Sequence, residues 1–207
     1  GALGERAAAR GMRIGYEALA WGRHVHDHRD AWALVRDVDH PNIGLILDSF
    51  HSLSRRVPSS SIGDIKADKL FFVQVADAPL LDMDYLSWSR HFRCMPGQGD
   101  FALAEWAEAI HRIGYDGWWS LEIFNDRFRA GSASGVAVDG YRSLQLMQDQ
   151  VARRARPIIQ AEIPAPVSVK GVEFIEFAAS HDEASALGRM LGALGFSAVG
   201  EHRSKDV

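Results

Sequence analysis

NIGLILDSFH, residues 42–51, decides how this chain is read. From Ile43 to Leu47 every residue is apolar or glycine, and the run stops at Asp48. A segment with no polar alternation suits a strand covered on both faces, as in a parallel sheet flanked by helices. Pro41 stands before it, and the polar Ser49, His51 and Ser52 follow it. In a barrel of parallel strands the C-terminal strand ends carry the active site, so Asp48 is delivered where chemistry is done.

The same layout recurs to either side. Residues 1–10 read as the end of a helix, and MRIGYEA (12–18) as a strand followed by the histidine-rich loop WGRHVHDH and a helix over 30–39. LFFVQVAD (70–77) is a third strand, preceded by a short helix near 61–67. GWWSLEIF (117–124) is a fourth, set between helices over 101–113 and 138–154. Such alternation predicts βα units around a parallel sheet. The stretch 78–100, punctuated by Pro79, Pro96, Gly97 and Gly99, exceeds an ordinary connector and is expected to be functional. A complete (β/α)8 barrel takes about 250 residues, so four units predict an α/β fold, half of a TIM barrel over 1–155, cut at both ends. Pro157, Pro164 and Pro166 mark 156–168 as a linker. Beyond it, a strand over 170–178, a helix over 182–194 and a strand over 197–203 predict the β-α-β start of a second module spanning 169–207.

At 207 residues, 47% hydrophobic and 24% charged, the chain has globular composition and enough length to bury a core. Its 23 basic and 27 acidic residues are interspersed, which leaves no electrostatic footprint for nucleic acid or an anionic membrane. Cys94 is the single cysteine, so no internal disulfide forms; a half-buried thiol in a reducing cytoplasm is expected. No apolar run reaches membrane-spanning length, and residues 1–13 lack the layout of a secretory signal.

Each barrel strand brings one oxygen-bearing side chain near its C-terminal end: Glu17, Asp48, Gln74 and Glu122. Singly, each has an ordinary role, as loop cap, helix N-cap, strand-end hydrogen bond or arginine partner. Together they are costly, because three carboxylates buried in one mouth need a cation. Three carboxylates and an amide oxygen suit a hard divalent ion, Mg²⁺, Mn²⁺ or Co²⁺, rather than a cysteine-rich zinc site. His51, three residues past Asp48, is expected to act as general acid/base. SRHFRCMPGQGD offers Ser89, Arg90, His91 and Arg93, and an arginine beside acids most plausibly takes an anionic substrate group, a carboxylate being the best planar match. In WGRHVHDH, Trp21, His26 and His28 read as loop residues, with Arg23 and His24 best placed to reach the site. PGQGD lacks the flanking residues of a nucleotide cradle.

YEALAWGRH, NIGLILDSFH, FFVQVAD, HFRCMPGQGD and SLEIF together resemble bacterial 3-dehydroshikimate dehydratases of the xylose-isomerase-like barrel superfamily, over roughly 1–155. Gln74 is the most specific element, since sugar isomerases and epimerases of that superfamily usually present histidine there. The resemblance implies the C-terminal half of the barrel, with Glu17, Asp48, Gln74 and Glu122 as metal ligands. It further implies His51 as the catalytic acid/base and Ser89 and Arg93 as substrate contacts. The substrate would be a small carboxylated ring, 3-dehydroshikimate, converted to protocatechuate and water, with His51 taking the C4 proton. With the first half-barrel missing, little activity is expected of this chain by itself. The tail from Lys170 is similar to the first module of 4-hydroxyphenylpyruvate dioxygenase, whose iron ligands lie in a later module, so Glu173 and Glu176 are read as structural. Two other readings stay open: a sugar or inositol isomerase or epimerase on the same metal site, and an inert module that assembles as a homo-oligomer through exposed strand edges.

Overall fold

The computed structural model describes residues 1–155, 163–164 and 167–200. The chain divides into two compact units, Gly1–Pro164 and Ala165–Val207. The linker expected over 156–168 lies mostly outside the described residues.

In the first unit, α1 (Ala2–Ala8) leads to β1 (Ile14–Glu17), α2 (His28–Val38), β2 (Ile43–Asp48) and α3 (Ser49–Ser54). Two 3-10 turns (Ser59–Asp64 and Ala67–Lys69) precede β3 (Leu70–Val75). Then come α4 (Tyr85–His91), α5 (Leu103–Arg112), β4 (Trp119–Leu121), α6 (Asp126–Arg129) and α7 (Ala133–Arg154). The four strands form one parallel sheet in sequence order. Leu45, Leu47, Val73 and Val75 are fully buried at its centre. Ala31, Trp32 and Val35 of α2, Trp106 and Ile110 of α5, and Met147 and Val151 of α7 all enter the same core. Each such side chain contributes about 1.5–3 kcal/mol by leaving water, and this burial holds the strand ends in register. Asp48 stands opposite Gln74, while Glu17 stands opposite Ile46.

Three local features go beyond the sequence reading, which weighed Asp48 as a helix N-cap but placed a loop after it. Asp48 ends β2 and also caps α3, its carboxylate accepting from the amide of Phe50 at 2.6 Å. The cap turns the chain directly into a helix where a loop was expected, and so carries His51 back over the strand end. The 78–100 stretch contains α4, started by Asp84 accepting from the amide of Ser87. α7 starts at Ala133, five residues ahead of expectation, with Ser132 as its cap.

In the second unit, α8 (His181–Ala193) forms close to where it was expected, with Ser180 and Glu183 making a reciprocal capping box. The flanking strands are not seen among the described residues. Residues 170–178 and 197–200 carry no strand, and 201–203 lie outside the described residues. Phe174, Ile175 and Phe177 are exposed. Apolar β-formers make a strand only when a neighbouring strand takes their backbone groups, and none does so among the described residues. No helix among those residues is long and apolar enough to cross a membrane.

Candidate metal and substrate site

Parallel pairing brings the four oxygen-bearing side chains to one end of the sheet. Glu17, Asp48 and His51 each offer a ligand-type atom within 4.8 Å of the others. The side-chain amide of Gln74 donates to Glu122 Oε1 at 2.9 Å. Arg93 joins the two sides of the cluster: its Nη1 donates to Asp48 Oδ2 and to Glu122 Oε2, both at 2.8 Å. Thus every one of the four belongs to a single connected cluster.

The electrostatics are those of crowded acids. Burial, then the charges of Asp48 and Glu122, push the Glu17 carboxyl up to about 7 in spite of Arg93. Burial also raises Glu122, and Asp48 adds to that through its charge and a shared hydrogen bond. For Asp48 burial works the other way from its partners: the Arg93 and His51 charges and the hydrogen bonds from Glu122 and Arg93 prevail and hold it below the usual carboxylate range.

Arg93 is almost wholly buried, at 1% exposure. Its Nε and Nη2 donate to the hydroxyl of Ser89 at 3.1 and 2.9 Å, and its guanidinium lies 4.7 Å from the Phe50 ring centre and 5.3 Å from that of Phe124. Its first role in this structure is thus internal counter-ion to Asp48 and Glu122, an arginine pairing weighed from the sequence for Glu122 alone. Arg23 and His24 are exposed on the loop after β1 and, among the described residues, make no hydrogen bond or ion pair with the cluster. Arg90 faces the Phe124 ring at 5.6 Å, and His91 pairs with Asp126 at the surface.

Next to Arg93 stands a residue that sequence reasoning passed over, Asp77, which organises the loop that follows. Its backbone exchanges two hydrogen bonds with Cys94, at 2.9 and 2.8 Å, directly after Arg93. Its carboxylate accepts from the amides of Ala78, Gly97, Gly99 and Phe101. Gly97 adopts φ +86°, and a Cβ on Gly99 would lie 2.5 Å from Asp77 Oδ1, so only glycine fits that wrap. The glycine loop is an anion nest filled by the protein's own carboxylate. An aspartate three residues past a strand-end ligand and ahead of a Gly-x-Gly loop was the available signal. Cys94 itself is inert, its thiol pushed up to about 12 by burial and then by Asp77 and Asp100.

Two observations test whether a divalent ion fits. The buried Gln74 Oε1 has no hydrogen-bond partner, the signature of an acceptor built for something else. The cluster holds three carboxylates with one guanidinium to balance them. The oxygen-only donor set of Glu17, Asp48, Gln74 and Glu122 suits a hard cation. His51 does not belong in it, although it lies within reach: its Nδ1 accepts from the amide of Ala20 at 3.1 Å. A ligating histidine normally donates its second ring N–H outward, and here that nitrogen faces a donor. A second group, His26, Asp27 and Asp30, carries no such unmet acceptor, because both oxygens of Asp27 are taken by Arg29.

An α/β unit with a parallel sheet and acids gathered at its C-terminal edge defines a class, and the comparisons give its family. Residues 1–147 match the family model described as "Xylose isomerase-like TIM barrel", and residues 163–207 that described as "Hydroxyphenylpyruvate dioxygenase, HPPD, N-terminal". The chain belongs to the xylose isomerase-like TIM barrel family. It is 52% identical to the 3-dehydroshikimate dehydratase of Pseudomonas putida, over 99% of this chain and 33% of that protein. A solved "xylose isomerase-like TIM barrel/4-hydroxyphenylpyruvate dioxygenase fusion protein" superimposes with a TM-score of 0.87 at 51% identity, covering 99% of this chain and 34% of that one. The structure of the IOLI protein with a bound zinc atom gives a TM-score of 0.64 at 24% identity, over 74% of this chain and 54% of that one, and so shows the fold alone. The chain spans about a third of the length of the curated relatives it matches most fully.

Proposed function

We propose that this chain carries the metal-binding and catalytic-histidine part of a divalent-metal-dependent 3-dehydroshikimate dehydratase, forming protocatechuate and water. The observation that carries this reading is the 52% identity to such a dehydratase over 99% of the chain, supported by the acid cluster with its unpartnered Gln74 oxygen. In this reading residues 1–155 are the C-terminal half of a (β/α)8 barrel, 156–168 a linker and 169–207 the start of a dioxygenase-like module without chemistry of its own. Glu17, Asp48, Gln74 and Glu122 hold the ion, Mg²⁺, Mn²⁺ or Co²⁺, and the protein works in the reducing cytoplasm.

A bound divalent ion supplies Lewis-acid polarisation of the substrate ketone at C3. The chain's own groups do the remainder. Loss of a proton from C4 and of the hydroxyl from C5 removes one water, and tautomerisation completes the aromatic ring. His51 stands beside the cluster as the catalytic imidazole. Ser89 and Arg93 contact the substrate, and Arg93 simultaneously keeps Asp48 and Glu122 in register. Arg23 and His24 reach the substrate's solvent side from the loop after β1. Orientation of this kind is worth large factors in rate.

The test is a substrate panel: 3-dehydroshikimate beside neutral ketoses and inososes, with each metal, in a complete barrel carrying residues 1–155. Protocatechuate formation that stops on chelation is expected. Turnover of a neutral polyol without an aromatic product would assign the site to an isomerase instead.

A further inference from the structure

Ala20 lies fully buried at the end of the segment that leaves β1, and its amide donates to His51 Nδ1 at 3.1 Å. A backbone N–H can only donate, so Nδ1 must present a lone pair. Turning the ring over would set a carbon against that amide and leave a buried donor unmet, which protein interiors avoid. An imidazolium would set one N–H against another. The ring is further fixed by Trp21, whose plane meets it edge to face at a centroid distance of 5.1 Å, and by Phe50 at 5.7 Å. The proton of His51 is therefore on Nε2.

That proton changes what the surroundings mean. Arg93 Nη2 lies 3.5 Å from His51 Nε2. Two donors cannot bond each other, so the contact is not a hydrogen bond between them. Nη2 gives one N–H to Ser89, which leaves its second beside the Nε2–H. The carboxylate oxygens nearest to Nε2, Glu17 Oε1 at 3.6 Å and Asp48 Oδ2 at 3.7 Å, lie beyond hydrogen-bond length. Two N–H groups thus stand together at the cluster with no short acceptor, the arrangement that receives an oxygen carrying developing negative charge.

We propose that His51 is held as the neutral Nε2–H tautomer and that this N–H, with Nη2 of Arg93, forms a paired donor for one oxygen of the substrate. His51 then polarises and does not deprotonate, contrary to the expectation that it takes the C4 proton. The lone pair a base would need is on Nδ1 and is occupied by Ala20. A neutral imidazole aimed as an electrophile is a known device for stabilising an enolate oxygen. The proposal rests on the dehydratase reading only for the identity of that oxygen; the tautomer stands apart from it.

The first arm is long-range ¹H–¹⁵N correlation of the nine histidine rings in the ¹⁵N-labelled chain. The His51 pattern is assigned by its loss in His51→Ala and, independently, by through-space contact to the Ala20 amide and Trp21 ring. The expected pattern is an acceptor-type Nδ1 with a protonated Nε2. A protonated Nδ1, alone or together with Nε2, overturns the proposal. The second arm is turnover in a complete barrel. His51→Gln still offers an N–H at the ε position and should retain at least tenfold more kcat than His51→Ala, whereas equal losses would mean that a lone pair is required and overturn it. An Nε2–H pattern in a protein that leaves 3-dehydroshikimate untouched would count against the dehydratase reading and not against the tautomer.

Discussion

Asp77 shows how much one side chain can organise at a distance from the chemistry. Oδ1 serves Ala78 and Phe101, and Oδ2 serves Gly97 and Gly99. Asp77→Asn removes one acceptor oxygen and leaves two buried amides unmet, at about 1–3 kcal/mol each. Urea denaturation should show a loss of about 2–6 kcal/mol, with turnover falling as the 97–101 loop loosens beside Cys94 and Arg93. A variant as stable and active as the parent would mean that the nest is incidental. Glu17 makes a different prediction. With its carboxyl raised to about 7 by burial and neighbouring acids, it must release a proton before it can ligate, so metal affinity should weaken as pH falls below about 7. Calorimetric titration with Mn²⁺ in buffers of different ionisation enthalpy should report proton release near pH 6.5. Proton-neutral binding would exclude Glu17 from the ligand set.

Among the elements, α2 is tied to its neighbours by His28, whose Nδ1 and Nε2 lie 3.0 and 2.8 Å from the hydroxyls of Ser52 and Ser61. Burial, aided by Arg29 and opposed by Asp27, pushes this imidazole down to about 4. The unfolded chain takes up a proton near the ordinary value of 6.5 while the folded one does not, so this group's contribution is intact above about 6.5 and is lost as pH falls toward 4. Glu17 works in the opposite direction, favouring the folded state as pH falls from 7 toward 4.5, so the two are separated by substitution. His28→Gln should flatten the acid side of the stability profile, with a difference of about 2 kcal/mol between pH 7 and pH 5. Identical slopes in parent and variant would show that His28 titrates normally.

The strands were the most legible elements, because an unbroken apolar run has few other uses: β2 and β3 form within the segments 42–48 and 70–77. The convergence of Glu17, Asp48, Gln74 and Glu122 followed from parallel pairing alone. What stayed hidden depends on contacts made across the fold. α3 exists because Asp48 caps it, the 97–101 loop is held because Asp77 takes its amides, and the His51 tautomer is set by an amide thirty-one positions away. The 170–178 stretch was misread for the converse reason, its β-formers having no strand to pair with among the described residues.

Taken whole, the first unit is a sheet with β1 at one edge and β4 at the other. The β1 edge is bordered by apolar side chains that include Ile14, Leu34, Val38 and Ile43. The side chains of Glu17 and Glu122 keep 25% and 30% of their exposure, so water reaches the cluster at both edges of the sheet. Water dilutes the field that stabilises a developing enolate. The 207-residue chain alone should therefore convert 3-dehydroshikimate at less than a tenth of the rate of a complete barrel containing the same residues. A rate within tenfold, about 1.4 kcal/mol of barrier, would make the remaining strands dispensable.

Product formation under metal control tests the central claim most directly. A complete barrel carrying residues 1–155 is stripped with chelator, given back Mg²⁺, Mn²⁺ or Co²⁺, and supplied with 3-dehydroshikimate, and protocatechuate is followed by absorbance. The account predicts no product in the stripped protein, recovery on addition of at least one of the three ions, and a loss of at least about a hundredfold, roughly 2.7 kcal/mol, in Glu122→Gln and Asp48→Asn. Undiminished product formation by the stripped protein, or by either variant, would contradict it.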